Sequence, residues 1–240
     1  MKLKVATWNM AHWSRQSYNR EAWEYFSQGL GGDILLFQES VPNFDVLDKS
    51  QVVWRPIGGT RNWGSGIYSR KYKIKEYQLK TDFIGAVTAA EVEIGKNKSL
   101  IFVSLYGLFE TILKTSYSIP NLHRMFSDLT GPLEGIETRG KIVIGGDFNA
   151  SLQCDKRQRV KSHKVFFDRL KEFKLHNCFE GYFDDFVQTH RHSRSNLPWQ
   201  NDYFFISDKL KENLLSCSVI DNDKVRKFSD HNPVVIELRP

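Results

Sequence analysis

The sequence contains few cysteines, no long apolar run and no repeat. Its three cysteines, Cys154, Cys178 and Cys217, are widely spaced and form no Cys-x-x-Cys pair, which argues against a disulfide scaffold or a zinc site. The longest apolar stretch, near residues 101–109, is too short and broken to span a bilayer. The first residues enter a strand pattern at once, without the apolar core and cleavage site of a signal peptide. We therefore expect a cytoplasmic protein with no membrane partner.

What the sequence does contain is an ordinary globular composition with a basic charge balance. The chain has 240 residues, of which 26% are charged and 40% hydrophobic. A chain of this length is commonly one domain, so residues 1–240 are predicted to form a single domain, monomeric by default. The formal net charge is +6, which favours a polyanionic partner but says nothing about the fold.

Apolar periodicity predicts a βαβ unit at the start of the chain. Apolar residues recur at helical spacing from Tyr18 to Leu30, and Gly31 follows as a helix C-cap. This helix joins a strand that ends at Asn9 to a strand that ends at Glu39. Antiparallel strands are then expected near residues 51–57, 66–69, 73–79, 84–94 and 99–106.

The second half of the chain mixes helices and strands. Helices are predicted from Leu122 to Leu133 and from Val160 to Phe173, with their apolar stripes facing a core. The remaining predicted elements are a strand at 202–207, a short helix at 208–214, an extended run at 215–220 and a terminal strand at 233–238. The element order predicts an α/β fold with two packed sheets and helices outside.

The most informative segment runs from Lys141 to Asn149. A β-branched apolar run breaks at Gly145 and Gly146 and then presents Asp147 and Asn149, two residues apart. In an extended chain these two side chains would lie on one side, where they could bind water, a phosphate or a hard cation. Taken alone, the same residues are also typical of a simple turn.

Three other predicted strands carry polar residues at their ends. The first strand stops at Asn9, the second at Glu39, and Asp202 opens a later apolar run. Asp230 and His231 precede the terminal strand. Because active sites are often assembled at strand ends, these residues are candidates for one common site. Each residue could also serve locally, as a turn cap, a surface acid or a core histidine.

Together these motifs resemble the endonuclease/exonuclease/phosphatase superfamily. The resemblance rests on motifs in the family's order, at residues 7–10 (TWNM), 37–40 (FQES), 64–70 (GSGIYSR), 104–106 (SLY), 145–149 (GGDFN), 202–207 (DYFFIS) and 229–234 (SDHNPV). It implies a four-layer sandwich like that of pancreatic deoxyribonuclease, with two mixed β-sheets flanked by helices. It also implies a phosphoesterase that depends on Mg²⁺, with Mn²⁺ as a substitute.

The resemblance assigns a role to each matching position. It implies that Glu39 is the principal metal carboxylate and that Asn9 supports the metal or the phosphate beside it. Asp230 would lie near the metal or support the last motif. Asp147 would orient or deprotonate the attacking water. The roles implied for the other catalytic positions are phosphate binding by Asn149, and acid or base action by His231, whose tautomer is fixed by Asp202. Which residue is the general base stays open.

Two positions bear on the branch of the family. Tyr106 resembles the tyrosine of abasic-site endonucleases, where other branches have a histidine, but the Pro-Asn expected after it is missing. The resemblance implies that it binds phosphate or assists the leaving group, with core packing as the alternative. Many members have an arginine two residues before the aspartate at position 202, whereas this chain has Gln200.

Two segments are predicted to contact the substrate. One is the glycine-rich loop with Arg61, Asn62 and Trp63, and the other holds His190, Arg191 and Arg194. A cation beside an aromatic ring suits a phosphate backbone and base stacking, although Trp63 could simply cover a sheet edge. The basic segment 156–161 is interpreted as solvated surface.

The leading hypothesis is therefore a Mg²⁺-dependent endonuclease or exonuclease that acts on DNA, with RNA as the other nucleic-acid substrate left open. The first alternative is a phosphatase or phosphodiesterase for inositol, lipid or nucleotide phosphates. The second is a catalytically inactive module that binds nucleic acid.

Overall fold

The computed structural model describes residues 2–112, 115–131, 133, 141–156 and 161–240. Two six-stranded sheets dominate it. The strands of the first sheet are β1 (Leu3–Asn9), β2 (Ile34–Ser40), β3 (Val52–Gly58), β4 (Arg61–Ser69), β13 (Leu214–Val219) and β14 (Val234–Leu238), in the spatial order β13-β14-β1-β2-β4-β3. Only β1 and β2 pair in parallel in this sheet, and the neighbouring pairs are antiparallel.

The second sheet repeats this arrangement, with one parallel pair at its centre. Its strands are β5 (Lys73–Glu76), β6 (Val87–Gly95), β7 (Lys98–Tyr106), β10 (Ile142–Asp147), β11 (Leu175–Asn177) and β12 (Asp202–Ser207), in the order β11-β12-β10-β7-β6-β5. Here β7 and β10 are parallel. A small hairpin, β8 (Glu110–Ile112) with β9 (Thr115–Tyr117), lies outside both sheets.

Helices flank the two sheets. They are α1 (His12–Arg15), α2 (Asn19–Glu24), α3 (Ile119–Asp128), α4 (Leu152–Asp155), α5 (Ser162–Glu172) and α6 (Asp223–Phe228). Among the described residues, short 3₁₀ turns lie at Gln16–Tyr18, Lys49–Gln51 and Asp208–Asn213, and a π-turn lies at Tyr25–Gly29. None of the described helices is long and apolar enough to span a membrane.

Strand β2 shows how the layers are built. Alternate residues face opposite sides of a strand, and here both sides are apolar. Ile34 and Leu36 belong to the core between the two sheets, whereas Leu35 and Phe37 pack in a separate core with helices α2 and α6. Helices α3 and α5 cover the second sheet through Phe126, Phe166 and their neighbours. The predicted four-layer α/β sandwich is confirmed.

Several predicted boundaries need correction. The first helix is not continuously α-helical, because α2 ends at Glu24 and a π-turn follows to Gly29. The helix predicted from Leu122 begins earlier, at Ile119. It starts there because Pro120 fits the first turn, where its missing N–H is not needed. Val160, the predicted start of the next helix, lies outside the described residues, and that helix is seen from Ser162.

Some elements were not predicted from the sequence. Strand β11, the hairpin of β8 and β9, and helix α6 are short. Elements of three to six residues contain too few periods of the apolar pattern to be recognised. None of them supplies one of the predicted catalytic or metal-binding residues.

The topology brings the predicted polar strand ends together. Strands β1 and β2 run in parallel, so Asn9 and Glu39 emerge at the same edge. Strand β12 is antiparallel to β10, which places Asp202, its first residue, directly opposite Asp147, the last residue of β10. Tyr106 is the register partner of Asp147 on the other side. The two sheets face each other through one continuous core, so both sets of strand ends border one cleft.

Candidate active site

An aspartate–histidine pair lies at the centre of the cleft. Asp202 Oδ2 lies 2.9 Å from His231 Nδ1, and both side chains are buried. Burial lowers the pKa of His231, but Asp202, Asp147 and Asp230 outweigh that effect and raise it to about 10. The ring is therefore held as an imidazolium that donates from Nδ1 to Asp202. Its second nitrogen, Nε2, is directed toward Asp147.

Asp147 is the second buried acid of the site. Its Oδ2 lies 3.9 Å from His231 Nε2. Burial raises the pKa of Asp147 to about 7; His231 acts against this rise, while the negative charges of Asp202 and Glu39 add to it. A carboxyl group that titrates near neutral pH suits a role in proton transfer. Among the described residues, the ligand atoms of Asp147, Asp202 and His231 lie within 4.8 Å of one another.

Asn9 joins the acids of the two sheets. Its Nδ2 donates to Glu39 Oε1 at 3.2 Å and to Asp147 Oδ2 at 2.9 Å. Its Oδ1 accepts the backbone N–H of Ala11 at 2.9 Å, which fixes the orientation of the amide. In this structure Asn9 therefore positions two carboxylates, one from each sheet.

Glu39 reaches the cleft through an irregularity in its strand. Strict alternation would place it with Phe37, on the helix-covered face. Instead Glu39 adopts a left-handed φ of 45°, and the pairing of β2 with β4 shifts register between Phe37 and Ser40. Bulges of this kind redirect side chains near active sites. The predicted metal carboxylate thus owes its position to a backbone feature that the sequence pattern does not reveal.

The environment of Glu39 is unusual for a carboxylate. Burial raises its pKa, while neighbouring Tyr106 and His231 act in the opposite direction. Its Oε2 is buried, and no donor among the described residues makes a hydrogen bond of normal geometry to it. A buried carboxylate oxygen without a partner requires an explanation. A hard cation in the cleft would supply that partner.

Asn149 and Tyr106 lie on the other side of the cleft. The strand does not continue to Asn149, as an extended chain would require, because Asn149 adopts a φ of 47°. Its backbone N–H donates to Asp147 Oδ1 at 2.8 Å, and its side chain donates to the carbonyl of Gly107 at 3.1 Å. Burial and the nearby Glu39 and Asp147 raise the pKa of Tyr106, so its hydroxyl stays protonated and can donate.

The loop that carries Asp230 and His231 is held by buried hydrogen bonds. Trp8 Nε1 donates to the carbonyl of His231 at 2.9 Å, and Ser229 Oγ donates to the carbonyl of Asn9 at 2.7 Å. Arg191 donates to the carbonyl of Ser229 at 2.6 Å and to Asn232 Oδ1. The structure thus places Arg191, predicted as a substrate contact, behind the loop that it supports.

The cleft forms a cavity of about 320 Å³. The residues that line it include most of the predicted set: Glu39, Arg61, Trp63, Tyr106, Asp147, Asn149, His190, Asp230 and His231. Asn62 and Arg194 are exposed elsewhere and do not line it. A larger cavity of about 610 Å³ lies between α5 and β12, with aromatic residues such as Phe167 and Phe179 in its wall. It contains none of the predicted catalytic groups, so the smaller cavity is the candidate site.

Arg61 and Trp63 form one side of this cavity. The Arg61 guanidinium lies 5.5 Å from the Trp63 ring centre. Trp63 is only 8% exposed and packs edge-on against Tyr106, with ring centres 5.6 Å apart. Trp63 therefore packs against both Tyr106 and Arg61. Of Arg61 and Trp63, Arg61 is the exposed residue and carries the positive charge.

Two cavity residues were missed by the sequence analysis, namely Trp13 and Phe109. Trp13 follows Asn9 by four residues, and Phe109 follows Tyr106 by three. Both come just after strand ends that carry predicted site residues, and this position is the one sequence feature that could have indicated them. Neither lies in a recognisable motif, and a single aromatic residue outside a motif is usually interpreted as packing.

Comparisons with known proteins agree with this geometry. A sequence model of the Endonuclease/Exonuclease/phosphatase family matches residues 6–231. No curated protein matches the sequence significantly. The fold is similar to that of an AP endonuclease from Archaeoglobus fulgidus, with a TM-score of 0.74, 18% identity and coverage of 99% of this chain and 100% of that chain.

Two further solved structures share the fold. One is an AP endonuclease from Leishmania major, with a TM-score of 0.71, 18% identity and coverage of 100% of this chain and 88% of that chain. The other is the endonuclease domain of TRAS1, a telomere-specific non-LTR retrotransposon, with a TM-score of 0.68, 17% identity and coverage of 100% and 99%. At these identities the similarity establishes the fold alone.

Proposed function

Because the chain belongs to the endonuclease/exonuclease/phosphatase family, we propose that it is a nuclease that uses a divalent cation to hydrolyse phosphodiester bonds in DNA. The observation that carries the proposal is the arrangement around His231. Its two ring nitrogens face Asp202 and Asp147, and Asn9 links Asp147 to Glu39. In this arrangement His231 would donate a proton, Asp147 would accept one and Glu39 would bind the cation, and all three line the same cavity.

The acidic side of the cavity fits a hard cation. Glu39 offers a buried oxygen without a partner among the described residues, and Asp147 and Asp230 border the same cavity. Mg²⁺ takes oxygen ligands, and one or two protein carboxylates are sufficient because it keeps several waters. We assign Glu39 as the main protein ligand, with Mn²⁺ as a substitute metal. A bound cation would offset charge on the non-bridging phosphate oxygens.

The protein groups then account for the proton transfers. The oxygen of a water molecule attacks phosphorus while Asp147 accepts the water proton. The bond between phosphorus and the leaving oxygen breaks, and this oxygen takes a proton from Nε2 of the His231 imidazolium. The 3.9 Å separation of His231 Nε2 and Asp147 Oδ2 allows a water to return the proton from Asp147 to His231. Both residues are then ready for another cycle.

Asn149 and Tyr106 complete the phosphate site in this proposal. Tyr106 remains a neutral donor because its pKa is raised, so its hydroxyl can hold the leaving or a non-bridging oxygen. Asn149 is kept at the cavity by its bond to Gly107. Preorganised donors of this kind stabilise charge that develops during the reaction.

Three observations support DNA as the substrate. The chain carries a net charge of +6, Arg61 borders the cavity, and the structural neighbours are AP endonucleases and a retrotransposon endonuclease domain. We treat residues 1–240 as one catalytic domain, which the continuous core between the sheets supports. A cytoplasmic location and a monomeric state stay predictions from the sequence.

A plasmid-nicking assay tests the proposal. The unmodified protein should nick supercoiled DNA in Mg²⁺ and lose this activity in EDTA. Asp147→Asn should be inactive, whereas Asp168→Asn, which removes an exposed aspartate of α5 paired with Lys164, should match the unmodified protein. Absence of nicking in both Mg²⁺ and Mn²⁺, together with no cleavage of a single-stranded oligonucleotide, would reject the nuclease. Phosphate release from inositol or nucleotide monoesters instead would indicate a phosphatase.

A further inference from the structure

Two strongly exposed aromatic rings border the catalytic cavity. Among the described large hydrophobic residues, only two aromatic side chains are more than half exposed, Trp13 at 65% and Phe109 at 53%. Both line the cavity that contains Asp147 and His231. Large aromatic rings are mostly buried elsewhere in this protein, as Trp8, Trp23 and Phe148 are. Their coincidence at the site points to a ligand that covers them.

The two rings enter the cavity from different sheets. Trp13 lies in α1, just beyond the end of β1 in the first sheet. Phe109 lies beyond the end of β7 in the second sheet. The acids, His231 and Asn149 occupy the same cavity. A substrate whose phosphate contacts these polar groups therefore has an apolar ring available on each side of the cleft.

The chemistry of the rings selects the part of the substrate that they bind. A bare phosphate or an inositol phosphate has no flat apolar face for an indole or a phenyl ring. A nucleobase does, and stacking of a base on an aromatic side chain contributes about 1–3 kcal/mol in proteins that bind single strands. Arg61, which also lines the cavity, complements the adjoining phosphates of a strand.

Stacking on a protein ring requires the face of the base to be free. In a continuous duplex each base is stacked on its neighbours, and only its edges are accessible in the grooves. Freeing one base of a duplex costs free energy, and the cost is least for a strand that is already unpaired. Rings placed beside the phosphate site therefore favour an unpaired strand.

Building on the nuclease function proposed above, we propose that Trp13 and Phe109 are stacking platforms for the bases that flank the scissile phosphate, and that the preferred substrate is single-stranded DNA. Trp13 belongs to the short helix α1 and Phe109 to the segment between β7 and β8, whereas the catalytic acids Asp147 and Glu39 lie in strands. Replacing the rings therefore changes substrate binding while leaving the catalytic groups in place.

Steady-state kinetics on a short oligothymidylate and on its duplex with oligoadenylate test this inference. Trp13→Ala and Phe109→Ala should each lower kcat/KM on the single strand by about fivefold to 150-fold, mainly through KM, which corresponds to the stacking contribution. Trp13→Phe should keep most of the activity, whereas Trp13→Leu, apolar but not planar, should behave like Trp13→Ala. Phe44→Ala is the matched control, because Phe44 is also exposed, at 46%, but does not line the cavity.

A second measurement identifies the contact itself. An oligonucleotide that lacks one base beside the scissile phosphate should be cleaved more slowly by the unmodified protein. In the variant that lacks the ring on which this base stacks, removal of the base should change kcat/KM little. The reason is that the effects of removing two groups that contact each other are not additive. Additive losses, or equal kcat/KM on single strand and duplex, would overturn the inference.

Failure of the inference is separable from failure of the nuclease function. If the unmodified protein nicks plasmid but the ring variants keep full activity on the single strand, the nuclease function stands and only the stacking role of Trp13 and Phe109 is rejected. If it cleaves no phosphodiester, the nuclease function falls, and fluorescence anisotropy of a labelled oligothymidylate in Ca²⁺ tests the platforms without turnover. Unchanged binding by Trp13→Ala and Phe109→Ala would then overturn the inference as well.

Discussion

The rings of His190 and His231 lie face to face, with their centres 4.4 Å apart and their planes 17° from parallel. Burial, with the electrostatic effect of His231, His192 and Arg191, lowers the pKa of His190 to about 3, whereas the pKa of His231 is raised to about 10. At neutral pH a neutral ring therefore lies on a cationic one. Such a contact is attractive when it is buried, so His190 acts as a platform that holds His231.

The first prediction concerns acid stability of the metal-free protein. His190 takes up a proton near pH 6.5 in the unfolded chain but only near pH 3 in the folded chain. Between these values the unfolded state binds more protons, so this residue lowers stability as pH falls. His190→Phe keeps a stacking ring without a titrating group. Its free energy of unfolding should rise relative to the unmodified protein as pH falls from 6.5 toward 3.

Urea unfolding in EDTA at several pH values measures this difference. His190→Ala provides the control, because it also removes the titrating group but leaves no ring against His231. It should show the same pH dependence as His190→Phe with lower stability at every pH. A difference between His190→Phe and the unmodified protein that stays constant with pH would contradict the prediction.

The second prediction concerns the Asp202–His231 pair. Asp202 opposes the effect of burial on the pKa of His231, so Asp202→Asn should lower that pKa and leave the ring without its charged partner. If His231 acts as the proton donor, kcat should fall by about 10²–10⁴-fold with little change in KM. The basic limb of the pH–rate profile should also move to lower pH. Equal kcat for the variant and the unmodified protein would exclude this role.

A matched control is available on the surface. His176 Nε2 lies 2.7 Å from Asp208 Oδ1, so the chain contains a second aspartate–histidine pair, remote from the cavity. Asp208→Asn should leave kcat unchanged within about twofold, because this exposed pair does not contact the reacting groups and contributes little to stability. A comparable loss in both variants would show that the effect of Asp202→Asn is not specific to the site.

Which residues meet at the candidate cavity was more predictable from the sequence than the geometry in which they meet. Asn9, Asp147 and Asp202 lie at strand ends, and the order of elements was sufficient to place those ends together. The redirection of Glu39 was not predictable, because a left-handed φ at a glutamate depends on the surrounding sheet and not on local preference. The left-handed φ of Asn149 was not predictable for the same reason. The sequence allowed either an extended chain or a turn at this residue.

Substrate contacts were the least predictable part of the site. Of the basic residues proposed for this role, Arg61 lines the cavity whereas Arg191 donates to Ser229 and Asn232. An arginine in a loop can equally bind an anion or satisfy buried carbonyls. Which of these it does depends on loop packing that apolar periodicity cannot describe.

The third prediction concerns the polar link between the two sheets. Gln38 Nε2 donates to Ser104 Oγ at 2.8 Å and to Thr7 Oγ1 at 3.1 Å, and all three side chains are buried. Ser104→Ala leaves one N–H of Gln38 unpaired. An unpaired buried donor costs about 1–3 kcal/mol, so the free energy of unfolding should fall by that amount.

Urea unfolding monitored by tryptophan fluorescence measures the change. Ser99→Ala on the same strand is the control, because its hydroxyl bonds to Glu91 at an exposed position. It should change stability by less than about 0.5 kcal/mol. If Ser104→Ala is no less stable than Ser99→Ala, the link does not contribute to the joining of the sheets.

The fourth prediction concerns Gly146, which lies directly before Asp147. Its φ of +153° is rarely adopted by other residues, and a Cβ built there would lie 1.9 Å from the carbonyl oxygen of Leu105. Leu105 is its register partner on β7, so a methyl group would push apart the two strands that carry Tyr106 and Asp147. Gly146→Ala should therefore lower the free energy of unfolding by more than about 3 kcal/mol.

The control is Gly95→Ala, where the nearest atom to an added Cβ is 3.9 Å away. Both variants add the same methyl group to a glycine of the second sheet, so their difference reports the close approach of β7 and β10. Gly95→Ala should unfold within about 1 kcal/mol of the unmodified protein. Equal stability of the two variants would mean that the strands accommodate a side chain at Gly146. In that case the glycine would not be what sets the spacing between Tyr106 and Asp147.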